Sequence, residues 1–196
     1  TLIAHIGALD ENDARALGQH AKELGYDMVS SVTPFYYQFT AAEIKEYYSR
    51  LADAAGLPML VYYLPAMSGV SMNSGELKSF LEDERFAGIK FTSNDFFTLE
   101  RCRAAFPDKV IFNGYDEMFM SGLAMGADGA IGSTYNFRAD TFVEINRLFG
   151  EGKIDEARKI QNEANDIISI LCRIGVMKAE KEILNQWGMD FGGCRH

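Results

Sequence analysis

A cation set inside an apolar run is the first group in this chain with an obvious chemistry: Lys90, in Gly88-Ile89-Lys90-Phe91-Thr92-Ser93. As a strand, this run puts Gly88, Lys90 and Thr92 on one face and Ile89 and Phe91 on the other. The apolar pair then packs beneath helices, and the face with small residues leaves the amine room to reach a ligand. Burial disfavours an ammonium and favours the free amine that adds to a carbonyl to form a Schiff base. The same lysine reads equally as one that snorkels from the strand end to meet a carboxylate. Tyr62, in Val61-Tyr62-Tyr63-Leu64-Pro65, is a candidate proton carrier beside such an imine, or a packing tyrosine with a satisfied hydroxyl. Because Tyr62 and Tyr63 are adjacent, only one of them can share the face of Lys90. Asp116 and Glu117, after Asn113-Gly114-Tyr115, can accept hydrogen bonds from a polyol or simply complement a helix dipole. Ser133, in Gly132-Ser133-Thr134, offers a hydroxyl that loop chemistry explains as well.

These residues need elements that gather them. Short β-branched or aromatic runs alternate with segments of helical periodicity, which predicts βαβ units and a parallel sheet. The predicted strands are Leu2 to Ile6, Met28 to Thr33, Met59 to Leu64, Gly88 to Thr92, Val110 to Asn113 and Gly129 to Ser133. Helices are expected to begin near Glu11, Ala41, Ser74, Phe96, Asp116 and Arg138. Thr40 with Glu43 and Asn73 with Glu76 fit capping boxes, and Asp10 and Asp95 fit N-caps. Two further helices, Ile154 to Ile174 and Val176 to Trp187, follow without a strand between them, divided at Gly175. No linker or composition break interrupts the chain, so residues 1–196 are expected to form a single domain. Ligands of parallel α/β folds sit at the carboxyl ends of strands, which is where the candidates fall.

Composition narrows the function classes. The 196 residues hold 19 Lys and Arg against 28 Asp and Glu, a formal charge of −9. A chain this acidic, without a basic stripe, is a poor binder of a phosphate backbone, so no nucleic acid partner is expected. No apolar run approaches the roughly 20 residues that span a bilayer, and no membrane partner is expected either. Cys102, Cys172 and Cys194 lie far apart without metal-ligand spacing, which predicts neither a metal site nor a disulfide framework and suits idle thiols in the cytoplasm. Six strand-helix units fall short of the roughly 250 residues typical of an eight-fold barrel. The chain starts inside an apolar stretch without Met and stops abruptly at Cys194-Arg195-His196, so both ends read as cuts through a longer protein.

The ordered motifs resemble a known family. Tyr62 in Val-Tyr-Tyr-Leu-Pro, Lys90 in Gly-Ile-Lys-Phe-Thr-Ser, Asn113-Gly114-Tyr115-Asp116-Glu117 and Gly132-Ser133-Thr134-Tyr135-Asn136 are similar to the signatures of the N-acetylneuraminate lyases. These are class I aldolases of the dihydrodipicolinate synthase superfamily, and the likeness runs through essentially the whole chain. It implies an α/β fold, a (β/α)8 TIM barrel of which this chain covers about strands 3 to 8, with the first two βα units and the C-terminal end missing. It further implies that Lys90 forms the Schiff base with the C2 carbonyl of pyruvate or of open-chain sialic acid. Tyr62 would move protons at the C4 hydroxyl as the C3–C4 bond breaks. Tyr36, in Thr33-Pro34-Phe35-Tyr36-Tyr37, matches the tyrosine that family members insert into a neighbouring subunit's site, which implies a homo-oligomer, usually a tetramer. Thr92, Gly114, Asp116, Glu117 and Ser133 match positions that line the sugar pocket. The scheme calls for no cofactor and no metal, because the protonated imine is itself the electron sink.

Three departures and alternatives accompany this reading. The family's Gly-Ser/Thr-Thr-Gly-Glu loop, which holds the pyruvate carboxylate, is absent from the sequence. Tyr63 stands where the superfamily commonly has Asn or Asp. Met67 replaces the arginine with which the dihydrodipicolinate synthase branch grips a dicarboxylate, which argues against that branch. The alternatives are another pyruvate aldolase acting on 2-keto-3-deoxy sugar acids, and a non-catalytic sensor of sugar acids or pyruvate.

Overall fold

A computed structural model describes residues 1–35 and 37–195. The elements run β1 (Ile3–His5), α1 (Glu11–Glu23), β2 (Met28–Val32), α2 (Ala41–Ala55), β3 (Met59–Tyr63), α3 (Pro65–Ser68) and α4 (Ser74–Leu81). They continue with β4 (Phe86–Phe91), α5 (Phe96–Ala105), β5 (Val110–Asn113), a 3₁₀ turn (Asp116–Met118) and α6 (Phe119–Ala124). The last are β6 (Gly129–Ala130), α7 (Tyr135–Gly150), α8 (Ile154–Ile174) and α9 (Val176–Gln186). The helix starts follow the expected chemistry. Asp10 accepts from the Asn12 N–H, Asp95 accepts from that of Thr98, and Thr40–Glu43 and Asn73–Glu76 close full capping boxes. Each such cap satisfies N–H groups that have no partner within the helix.

The chain packs as two compact units. The first comprises Thr1–Phe112 and Met125–Asp128. Its parallel strands lie in chain order, β1 to β5, each beside its predecessor. Sequential order with a helix after each strand belongs to the (β/α) barrel, whereas doubly wound sheets reverse direction at a switch point. The fold class is therefore α/β, a partial (β/α)8 barrel. Pairing register sets the two sheet faces: Ala4, Ile6, Val29, Met59, Val61, Tyr63, Ile89 and Phe91 join one apolar core with Ile44, Tyr48, Leu51, Leu77 and Phe80 from the helices. Gly88 is required where it stands, because a Cβ there would strike the backbone of Val110 at the start of β5. Arg50 clamps α2 to α1 through a two-pronged bond to Glu11, both arms 2.8 Å long.

The second unit comprises Asn113–Ala124 and Gly129–His196, with a separate core of Phe119, Phe142, Ile145, Leu148, Ala157 and Ala164. Two elements differ from expectation here. The strand predicted over Gly129 to Ser133 is regular only to Ala130; the Ile131 N–H still donates to the Asn113 carbonyl at 3.0 Å, and at Gly132 the chain lies so close to the Asp116 carboxylate that no Cβ fits. Helix α7 starts at Tyr135, and the predicted start at Arg138 is a kink, with φ −139° and ψ 31°, between a first turn and the main helix. Gly175 does divide α8 from α9, at φ 97°, a conformation that suits glycine.

Tyr63 gains a role that its sequence position does not disclose. Its side chain is buried in the core of the first unit, and its hydroxyl accepts from the Met72 N–H at 3.2 Å and donates to the Met72 carbonyl at 3.3 Å. One phenol thus satisfies both backbone groups of a buried residue in the segment leading into α4. Tyr63→Phe is expected to lower unfolding free energy by about 1–3 kcal/mol, the cost of leaving buried polar groups unpaired. Urea unfolding measures it, and an unchanged midpoint would show that the bonds are dispensable.

Candidate active site

On the face of the first sheet opposite the core, β3 and β4 place Tyr62 directly across from Lys90 in the parallel register. The lysine Nζ lies 3.9 Å from the centre of the Tyr62 ring. An ammonium over a π face is attracted by the ring quadrupole, so the tyrosine holds the amine in place without consuming it in an ion pair. Among the described residues Lys90 makes no salt bridge. Both side chains are half-buried. The strand end beneath them is fixed from the other side by Tyr48, fully buried on α2. Its hydroxyl lies 2.8 Å from the Ser31 carbonyl and 3.2 Å from that of Tyr62.

His5 joins this pair, a residue that sequence reasoning did not single out for the site. Its ring meets that of Tyr62 edge-on, with centroids 6.2 Å apart. Burial first, and the positive charge of Lys90 second, hold its imidazole below the ordinary histidine pKa. The signal was available in outline: His5 pairs in register with Ser30 and Ser30 with Leu60, the row that precedes Tyr62 and Lys90 on the same face. Thr92, one residue past β4, is buried, and its hydroxyl has no hydrogen-bond partner among the described residues. The Thr33 hydroxyl, just past the end of β2, is in the same condition. Buried hydroxyls without partners are costly in a finished interior and are common where a ligand supplies the missing bond.

The other candidates belong to the second unit. Asp116 is buried, and its Oδ2 accepts from the Thr134 N–H at 2.9 Å and from the Thr134 hydroxyl at 2.6 Å. One carboxylate oxygen therefore fastens the turn after β5 to the loop after β6. Gly132 presses against the same carboxylate. Helix α8 holds the turn from behind: Gln161 donates to the Asp116 carbonyl at 3.1 Å, and Asn165 donates to that of Glu117 at 3.1 Å. This leaves the Glu117 side chain exposed and Gly114 half-buried beside it in sequence. Gln161 and Asn165 were invisible as site residues, since two amides four apart on a helix ordinarily read as a solvated face. Tyr135 faces Asp116, and burial followed by that negative charge raises its phenol pKa far above the usual value. Ser133 is half-buried. Tyr36, the residue expected to reach a neighbouring subunit, lies outside the described residues. Met67 is 77% exposed, an unsuitable setting for gripping a buried dicarboxylate.

Cys102 is buried in the first core, which pushes its thiol up to about 11, while Cys172 and Cys194 are exposed free thiols. Among the described residues no helix is long and apolar enough to cross a membrane.

Known proteins share this arrangement over the whole chain. The sequence pattern of the dihydrodipicolinate synthetase family matches residues 1–196. N-acetylneuraminate lyase from Rhizobium meliloti is 46% identical over 196 residues, covering 100% of this chain and 65% of that protein. The enzyme of the same name from Fusobacterium nucleatum is 45% identical over 194 residues, covering 99% of this chain and 67% of its own length. The chain thus spans about two thirds of the length of these curated relatives. Among solved structures, CdNal from Clostridium difficile in complex with mannosamine superimposes with a TM-score of 0.95 at 38% identity, over 100% of this chain and 68% of that one. The Fusobacterium nucleatum lyase complexed with pyruvate gives 0.92 at 44% identity, over 100% and 66%. With sequential parallel strands, a lysine seated on a tyrosine ring, and a family pattern that matches from the first residue to the last, the chain belongs to the dihydrodipicolinate synthetase family.

Proposed function

We propose that this chain carries the catalytic centre of a Schiff-base aldolase that cleaves N-acetylneuraminate to pyruvate and N-acetylmannosamine. The observation that carries the reading is the Lys90 amine held 3.9 Å from the Tyr62 ring centre, nucleophile and phenol on one sheet face with no carboxylate paired to the amine among the described residues. The amine adds to the C2 carbonyl of the open-chain sugar acid and loses water, giving an iminium. Tyr62 relays the proton of the C4 hydroxyl as the C3–C4 bond breaks, accepting it while its own phenolic proton passes to the substrate carboxylate; the bond's electrons pass to the nitrogen, leaving an enamine and releasing the aldehyde. Protonation of the enamine at C3 and hydrolysis then return the free amine and pyruvate. Thr92, Gly114, Asp116, Glu117 and Ser133 are the further residues proposed to bind substrate, on the strength of the family likeness. The relatives crystallised with mannosamine and with pyruvate support these as the two halves of the substrate. A cytoplasmic homotetramer with Tyr36 lent to a neighbouring subunit belongs to the same proposal and is supported by the family likeness.

The substrate is tested by comparing turnover of N-acetylneuraminate with that of 2-keto-3-deoxygluconate by purified protein, following pyruvate release. The expected result is a kcat/KM for N-acetylneuraminate at least about 10-fold higher, the discrimination that one or two hydroxyl-reading contacts supply. Faster turnover of the shorter acid would replace the substrate while leaving the chemistry intact.

A further inference from the structure

Helix α8 carries two neutral amides bonded to each other and to the backbone of the turn that bears Glu117. Gln161 is buried; its Nε2 donates to the Asp116 carbonyl at 3.1 Å and to the Asn165 Oδ1 at 2.9 Å, while its Oε1 accepts from the Met120 N–H at 3.4 Å. Asn165, one turn on, donates from Nδ2 to the Glu117 carbonyl at 3.1 Å. From the near end of the turn, Asn113 donates to the Tyr115 carbonyl at 2.6 Å. Side-chain amides thus grip three successive carbonyls, those of residues 115 to 117. The partners leave the Gln161 and Asn165 amides one orientation each, since a carbonyl needs the nitrogen and an N–H needs the oxygen. Residues four apart share a helix face, and the bond between Gln161 and Asn165 fixes the two as a unit. Both are neutral and spend these bonds on the backbone, so neither offers the Glu117 carboxylate a cation. Glu117 is exposed and makes no salt bridge among the described residues.

We infer that Gln161 and Asn165 are positioning residues for substrate binding: they set the backbone of Glu117 so that its unpaired carboxylate meets the hydroxyls of a polyol chain, and they do so without touching the ligand. A contact binds best when its group is held in place beforehand, because less freedom is then lost on binding. Asp116 is held by its own side chain, through Thr134. Placement of Glu117 falls instead to the amides that grip its backbone from behind. A lysine or arginine could grip the same carbonyls but would bring a charge that competes for the carboxylate, whereas an amide holds the turn and leaves the acceptor to the ligand. This rests on the proposal that Glu117 binds substrate, and it makes α8 a determinant of affinity for the sugar.

The test is steady-state kinetics on N-acetylneuraminate, beside borohydride trapping of the imine with pyruvate, for the wild type, Asn165→Ala, Asn165→Asp, Gln161→Met, Glu117→Ala, and Asn165→Ala combined with Glu117→Ala. Asn165 is half-buried, so its variants are expected to fold. Asn165→Ala is expected to raise KM by about 5-fold while kcat moves less than about 2-fold, as for loss of a ground-state contact. Asn165→Asp keeps the acceptor for Gln161 but has no hydrogen for the Glu117 carbonyl, so it is expected to do no better than alanine. Gln161→Met, similar in length but without donors, is expected to raise KM at least as much. Pyruvate has no polyol chain, so the concentration that half-saturates trapping should stay within about 2-fold of wild type, which a general loosening of the fold would not allow. In the Glu117→Ala background, Asn165→Ala is expected to add less than about 2-fold, because its effect passes through Glu117. An unchanged KM in Asn165→Ala, a wild-type KM in Asn165→Asp or Gln161→Met, pyruvate trapping that weakens in step with KM, or multiplied losses in the double variant would each overturn the inference. An unchanged KM in Glu117→Ala would instead bring down the assignment of Glu117 to substrate, and the inference with it.

Discussion

Lys90→Ala is expected to abolish cleavage of N-acetylneuraminate, lowering kcat by at least about 10³-fold, with the fold intact. A covalent intermediate divides one difficult bond cleavage into two easier steps, and without the amine the electrons of the C3–C4 bond have no iminium to enter. A thousand-fold loss corresponds to about 4 kcal/mol of transition-state stabilisation, small for loss of a nucleophile. Lys90→Arg is expected to be equally inactive, because a guanidinium keeps the charge over the Tyr62 ring but is not deprotonated to a nucleophile. The arginine variant therefore separates covalent catalysis from electrostatic attraction. Circular dichroism and urea unfolding show whether the fold persists, which is expected because Lys90 is half-buried and makes no ion pair among the described residues.

Tyr62→Phe is expected to lower kcat by about 10²- to 10⁴-fold, the usual worth of a positioned proton carrier. The ring that lies under Lys90 is retained in this variant, so the amine keeps its seat, and so does the edge contact from His5. Imine formation with pyruvate should consequently survive while carbon–carbon cleavage fails. Rapid quench with borohydride, scored beside steady-state turnover, separates the two steps. A phenylalanine variant that cleaves at the wild-type rate would remove Tyr62 from the reaction and assign proton transfer to another group, with His5 next in line by position.

The scaffold was readable because its signals are local. A cap residue such as Asp10 or Thr40 acts within three positions of itself, and an alternating strand such as the one around Lys90 exposes its two faces by the side-chain period alone. Reading Gly88, Lys90 and Thr92 as one face and Ile89 and Phe91 as the other therefore required no knowledge of what surrounds them. The kinked start of α7 and the short β6 are different in kind. Between them, the Asp116 carboxylate bonds Thr134, 18 residues away in sequence, and no local propensity reports such a bond.

The candidate residues were legible to differing degrees for the same reason. Lys90 stands out because a charge in an apolar run has a high desolvation cost that demands an explanation. Tyr62 and Tyr63 have the same side chain and adjacent places. Only the register with β4 assigns the first to the lysine and the second to the Met72 backbone. Gln161 and Asn165 carried no signal at all, since their partners, the carbonyls of residues 116 and 117, lie more than forty residues away in sequence. Such polar helix residues resemble a solvated face until the fold brings their partners to them.

Borohydride reduction of the protein in the presence of pyruvate, followed by peptide mass spectrometry, addresses the central claim most directly, because it needs neither sugar binding nor turnover. One reduced pyruvyl adduct on Lys90, absent from Lys90→Ala and present in Tyr62→Phe, is the predicted result. An adduct on a different lysine, or none in a protein that still cleaves N-acetylneuraminate, would contradict it.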